Sequence, residues 1–274
     1  MPGRFGRRWA IAATELGIFF GGSVEIGVWD VVLVLAVSVQ GTIVAYLHKP
    51  KWKALLLGVP VPFTIASLAL GHDVDATHVT GLLVRLLCLH AVRWLYVGAR
   101  VPIVAAVALS GVGYCVAGGL LADVMPRTDW MFWTGAGVAF AVALVLRAWM
   151  GERAEPGHRT PLPIWVKLPI IVFVVVVIVI IKKVLHGFMT VFPTVTLVAA
   201  YEARHSLWTV SRQIPRFLLG LVPMMATVYL LQRSIGLGAA LGVGWVVHLA
   251  IVVPLLYSEW IAEKRSVAAR GTTT

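Results

Sequence analysis

Two arginines stand where arginine is costly. Arg85 falls about eight residues into an apolar segment that begins near Thr77, and Arg216 about nine residues into one that begins near Leu207. At 1.5 Å per residue, Arg85 lies roughly 12 Å from the end of its helix. An arginine that deep in a bilayer costs at least about 2.5–3.5 kcal/mol unless it meets a cavity or a partner. A guanidinium holds carboxylate or phosphate through paired hydrogen bonds, so the chemistry indicated is recognition of an anion. Structural readings stay open beside it. Arg85 could pair with Asp73, Asp75 or Glu15, and Arg216 could snorkel to a membrane surface, helped by Arg212 one turn before.

Other scarce residues extend the anion reading. Lys51 and Lys182 could serve as entrance charges on an anion path, or as solvated anchors at helix ends. Pro62 and Pro193 are expected mid-helix, where each would break backbone hydrogen bonds and leave carbonyls free to line a cavity or to pack against protein. Thr64 and Thr194, just after those prolines, complete the candidate substrate-binding set. Glu15 is the acid best placed for proton coupling, with an ion pair to Arg85 or Arg93 as the alternative. His72, His78, Asp73 and Asp75 cluster in sequence, but their spacing fits no metal motif. Cys88 and Cys115 both lie in apolar runs, which indicates neither a disulfide nor a cysteine metal site. No nucleophile elbow, H-E-x-x-H or phosphate-binding glycine loop is present, so neither nucleophilic catalysis nor a cofactor is expected.

The elements that must carry these residues are membrane helices. The 274 residues are 59% hydrophobic and only 13% charged, with a mean hydropathy of +0.90. A soluble domain has about 25% charged residues, so an ordinary water-soluble fold is excluded. The long continuous apolar runs also exclude an outer-membrane barrel. A net charge of +11 would suggest nucleic acid in a soluble protein. Here the basic residues punctuate apolar segments, which points to topology and anionic lipids instead of nucleic acid.

Hydropathy and punctuation predict ten helices, over residues 9–24, 28–47, 54–71, 77–98, 101–122, 130–150, 163–183, 187–203, 207–231 and 234–260. With both termini cytoplasmic, 16 of the 23 Lys and Arg fall on the inside and only Arg127, Lys182, Lys183 and Arg233 outside, Arg85, Arg93 and Arg216 lying within spans. A nine-helix chain would put Arg4, Arg7 and Arg8 outside, so ten spans are preferred. The polar stretch 151–161 reads as a linker between halves and 262–274 as a disordered cytoplasmic tail.

The sequence also matches itself at an offset of 131 residues. Lys51 falls on Lys182, Pro62 on Pro193, Arg85 on Arg216, and Gly111-Val112-Gly113-Tyr114 on Gly242-Val243-Gly244-Trp245. An offset of five helices inverts the second copy in the membrane. The expected fold is therefore an all-α polytopic membrane protein of two inverted five-helix repeats, residues 1–124 and 125–261, with a site near the midplane where they meet.

Residues from about 165 to 260 resemble the GlpM family of small bacterial inner-membrane proteins with four helices. The resemblance is carried by Phe192-Pro193-Thr194, Leu197, Tyr201, Pro223, Gly236, Trp245 and Trp260. The first half enters only through the internal repeat, and reads Pro62-Phe63-Thr64 in place of Phe-Pro-Thr. The resemblance implies a duplicated four-helix unit in a bacterial inner membrane and says more about fold than about activity.

The function expected from these residues is secondary transport of a small organic or phosphorylated anion by alternating access. The partners are that anion and a bilayer containing anionic lipids, and two copies of the chain could associate as a homodimer. A lipid flippase, a lipid-modifying enzyme and an accessory membrane subunit are the alternatives. A hydrated central cavity holding the arginines would separate transport from a lateral groove or a packed centre.

Overall fold

The computed structural model describes residues 27–48, 50–151, 153, 155 and 163–271, without the side chains of 50, 51, 53, 54, 183 and 259–271. The first expected helix, with Glu15, lies outside the described residues, as do most of the linker and the side chain of Lys51. The described residues form helices and no strands. In chain order these are α1 (Val28–Tyr46), α2 (Pro50–Leu57), α3 (Val61–Leu70), α4 (Ala76–Arg93), α5 (Ile103–Val124), α6 (Asp129–Trp149), α7 (Ile164–Ile180), α8 (Lys182–Leu185), α9 (Gly187–Thr190), α10 (Thr194–Glu202), α11 (Leu207–Ile235) and α12 (Leu237–Gly271). A π-helical turn, Trp94–Gly98, prolongs α4.

Six helices among these are long and apolar enough to cross a membrane: α1, α4 with its π turn, α5, α6, α11 and α12 as far as Ser258. Leu55–Leu70 and Ile164–Ile180 are shorter apolar helices. The chain is a multi-pass membrane protein. Its outer surface suits lipid: α5 exposes Leu109, Val112, Val116 and Leu120 along one stripe. Trp94, Trp130, Trp149 and Trp165 stand exposed at helix ends, the interfacial placement that indole favours.

Two expected spans are broken. The third, 54–71, divides at Gly58-Val59-Pro60 into α2 and α3, and the eighth, 187–203, divides into α9 and α10 around Phe192-Pro193. The prolines do not kink continuous helices. Pro60 and Pro193 are the residues immediately before α3 and α10, and Pro62 sits in the first turn of α3. There the missing N–H is no loss, because first-turn donors have no partner within the helix. The tail departs from expectation too, since α12 runs on to Gly271. The Glu, Lys, Arg and Ala residues there are good helix formers.

α1 and α7 lie side by side and antiparallel. Lys182, just past the end of α7, bonds Asp30 in the first turn of α1, while Lys167, in the first turn of α7, lies 4.9 Å from the ring of Tyr46 at the other end of α1. Between them, a Cβ on Gly41 would stand 3.2 Å from Cγ2 of Ile171. α6 turns a small-residue stripe inward: Gly135, Ala139 and Ala143 are buried at intervals of four, the spacing that lets membrane helices approach closely. Gly135 meets Val79 of α4, and Phe132 stacks on Tyr229 of α11 at 3.8 Å. Asp75 caps α4, accepting from the Thr77 amide at 2.9 Å. Burial opposes its ionisation, but His78 and Thr77 outweigh that and hold the carboxyl down at about 2.

Candidate functional site

The two half-helices begin alike. Pro60 (φ −80°, ψ 29°) and Pro193 (φ −79°, ψ 34°) share one backbone conformation. Each offers its carbonyl to the amide four residues on, Thr64 at 3.0 Å and Leu197 at 2.7 Å. At Gly58 the chain runs against Phe217 of α11, whose ring would stand 1.9 Å from a Cβ there. Only a glycine lets the strand between α2 and α3 pass at that distance.

A cavity of about 50 Å³ lies at the starts of both half-helices. Pro60, Pro62 and Phe63 border it from one side and Phe192, Thr194 and Val195 from the other. α1 contributes Leu33, Val37 and Gln40, and α7 contributes Val175 and Ile178. Because helix N-termini carry partial positive charge, both half-helices direct that charge at this space.

Arg85 of α4 lines the same cavity. Its Nη2 donates to Oγ1 of Thr196 on α10 at 2.9 Å, and its Nε is buried with no hydrogen-bond partner. Among the described residues no carboxylate forms an ion pair with it. Asp75 is instead engaged with Thr77, His78 and Arg127 at the mouth of α4, and Asp73 is exposed in the same loop. A guanidinium in low-dielectric surroundings without a counter-charge attracts an anion strongly, since burying one charge without its partner is costly.

Gln40 shares the wall with Thr190 and Thr194 and is 8% exposed. Its Nε2 donates to the Leu56 carbonyl at 2.7 Å, which fixes the amide's orientation and leaves Oε1 buried with no donor. Nothing in the sequence marks Gln40 beyond being a lone amide in an apolar run, and spacing arguments pass it by.

The remaining candidates separate. Pro62 and Thr194 border the cavity. Thr64 donates to the Pro60 carbonyl at 2.9 Å and accepts from the Trp245 indole at 2.8 Å, so it braces the broken helix from behind. Pro193 sets the start of α10. Arg216 is not among the cavity walls, although its neighbour Phe217 is. It donates instead to Gln213 on its own helix at 3.1 Å. Lys182 reaches Asp30 at 2.5 Å in an ion pair where the lysine is 12% and the aspartate 1% exposed. A second buried pair, Lys167–Glu202 at 2.8 Å, joins α7 to the end of α10. Neither pairing is legible from spacing, because each joins residues brought together only when α1, α7 and the second broken helix pack.

Comparison with family models, with characterised proteins and with solved structures finds no match.

Proposed function

We propose that the protein is a secondary transporter of a small organic or phosphorylated anion, working by alternating access between two inverted halves. The observation that carries this reading is Arg85, half-buried on the wall of a cavity framed by two half-helix starts and without an acidic partner among the described residues. Discontinuous helices whose N-termini meet at a central site are the common way that transporter folds bind anions.

Inversion is supported by several features that recur at the 131-residue offset. α1 and α7 run antiparallel, and Pro62 and its counterpart Pro193 both lie at the start of a half-helix. Tyr114 of α5 donates to the Phe188 carbonyl at 2.7 Å, and its counterpart Trp245 of α12 donates to Thr64. Each half thus props the broken helix of the other. The similarity of the second half to GlpM proteins rests on the residues quoted above, and a bacterial inner membrane with both termini cytoplasmic belongs to the same proposal. The two buried ion pairs sit at opposite ends of α1, with the cavity between them. Alternating access would open Lys182–Asp30 and Lys167–Glu202 in turn.

The test is uptake of labelled anions by proteoliposomes, paired with thermal stability of the purified protein against the same anions. Bound ligand raises the stability of the state that holds it. The expected result is saturable uptake lost in Arg85→Gln while the variant still purifies as a folded protein. Equal uptake by parent and variant would refute the role of Arg85. Flip of labelled lipid in the absence of anion uptake would replace transport with lipid handling.

A further inference from the structure

Two guanidinium groups lie over one indole at the start of α11. Arg93, in the last turn of α4, places its Cζ 4.4 Å from the centre of the Trp208 ring, and Arg153, in the segment after α6, places its own at 3.8 Å. We propose that this arrangement is a headgroup site for an anionic phospholipid, with one phosphodiester held by both arginines.

The segment that carries Arg153 is fastened to α11 at three points. The Met150 carbonyl accepts from Nε of Arg212 at 2.9 Å, and the Gly151 carbonyl from the Trp208 indole at 2.9 Å. Glu155 accepts from the amides of Trp208 at 3.3 Å and Thr209 at 2.7 Å, and from the Thr209 hydroxyl at 2.7 Å. Its charge is thereby spent on the first turn of α11, at the positive end of the helix. Among the described residues no carboxylate forms an ion pair with Arg93 or Arg153. Two like charges on one ring repel, and an anion bound to both removes that cost.

Depth selects lipid over a soluble anion. Trp94, which follows Arg93, and Trp149, four residues before Arg153, are exposed at the ends of α4 and α6. Indoles at helix ends mark the level of the headgroups, where lipid phosphates lie. Arg153 is itself exposed and Arg93 half-buried, so a phosphate reaches them from the bilayer surface. Leu144 and Val145 of α6 are exposed one to two turns away and offer an apolar surface to the acyl chains. The paired donors of a guanidinium match phosphate oxygens, and two such charges favour a lipid of net negative charge over a zwitterionic one.

The full chain would be purified in an uncharged detergent and titrated with phosphatidylglycerol, phosphatidylcholine and inorganic phosphate, with the thermal midpoint as readout. At about fivefold for each arginine, phosphatidylglycerol should bind on the order of twentyfold tighter than phosphatidylcholine. Arg153→Gln, a change at an exposed side chain, should lose about fivefold of that preference, and Arg93→Gln with Arg153→Gln nearly all of it. Arg100→Gln with Arg147→Gln removes as much charge from the same ends of α4 and α6 and should keep the preference. Equal affinity for the two lipids in the parent protein overturns the proposal. A preference that survives in Arg153→Gln, or that falls as far in the Arg100 and Arg147 variant, also overturns it, because surface charge without a site then explains the binding. Inorganic phosphate binding as tightly as phosphatidylglycerol would replace the lipid with a soluble anion. None of these outcomes depends on Arg85 or on transport.

Discussion

Three basic side chains with similar sequence credentials have three different fates. Arg85 faces a cavity and donates to a threonine, Lys182 is closed in an ion pair with Asp30, and Arg216 bonds Gln213 one turn back along its own helix. The difference lies in what packs opposite each one. For Lys182 the partner is 1% exposed and fixed by the Gly27 amide at 2.8 Å as well as by the ammonium. Removing one member of a buried pair strands the other, which costs about 3–5 kcal/mol, whereas replacing both by apolar residues is often neutral. Lys182→Met alone should therefore lower the thermal midpoint sharply, and Asp30→Leu with Lys182→Met should recover most of the loss. Equal loss in the single and double variants would mean that the pair holds nothing together beyond its individual contacts.

At the scale of elements, the broken helices are the feature that a hydropathy profile misses. Residues 54–71 and 187–203 are mostly apolar, with Glu202 the one charged residue, and hydropathy alone gives one span each. The break after α2 depends on Gly58, because the Phe217 ring occupies the place of a Cβ. Gly58→Ala must displace Phe217, which is itself 6% exposed and lines the cavity. Overpacking a filled interior typically costs about 1–3 kcal/mol. The expected outcome is a destabilised protein that also loses anion binding, and Gly58→Ala with Phe217→Leu should restore part of both. Unchanged binding in Gly58→Ala would place the ligand away from the α2–α3 break.

Over the whole molecule, the antiparallel contact of α1 with α7 ties the two halves together along the cavity. Gly41 and Ile171 meet one turn of α7 beyond Lys167, with a Cβ at position 41 only 3.2 Å from the isoleucine. In a background with Cys88 and Cys115 replaced by alanine, Gly41→Cys with Ile171→Cys should form a disulfide within one chain on mild oxidation. A Cβ at position 41 reaches the side chain of residue 171, so the two thiols would face each other across the helix contact. A parallel or distant arrangement of the two helices would leave the thiols free. If access requires α1 and α7 to slide or rock, the cross-linked protein should bind anion and fail to transport it, with recovery on reduction.

The sequence by itself determined that this chain lives in a bilayer, where α1 and α4 to α6 lie along it, and that Arg85 stands at a costly depth. Hydropathy, charge placement and the cost of a deep arginine are properties of composition and order, and they survive without coordinates. The boundaries of α1, of α4 with its π turn, of α5 and of α6 fall within two residues of those expected from punctuation alone. Which polar groups meet was decided only in three dimensions. Asp30 finds Lys182 across 152 residues, Arg85 finds Thr196 across 111, and Trp245 finds Thr64 across 181. No local rule of spacing reaches that far. In an interior without water, each buried charge or amide takes its partner from whatever helix packing brings within reach. The same packing leaves Arg85 on a cavity wall between two half-helix starts, and that is the arrangement on which the proposed transport rests.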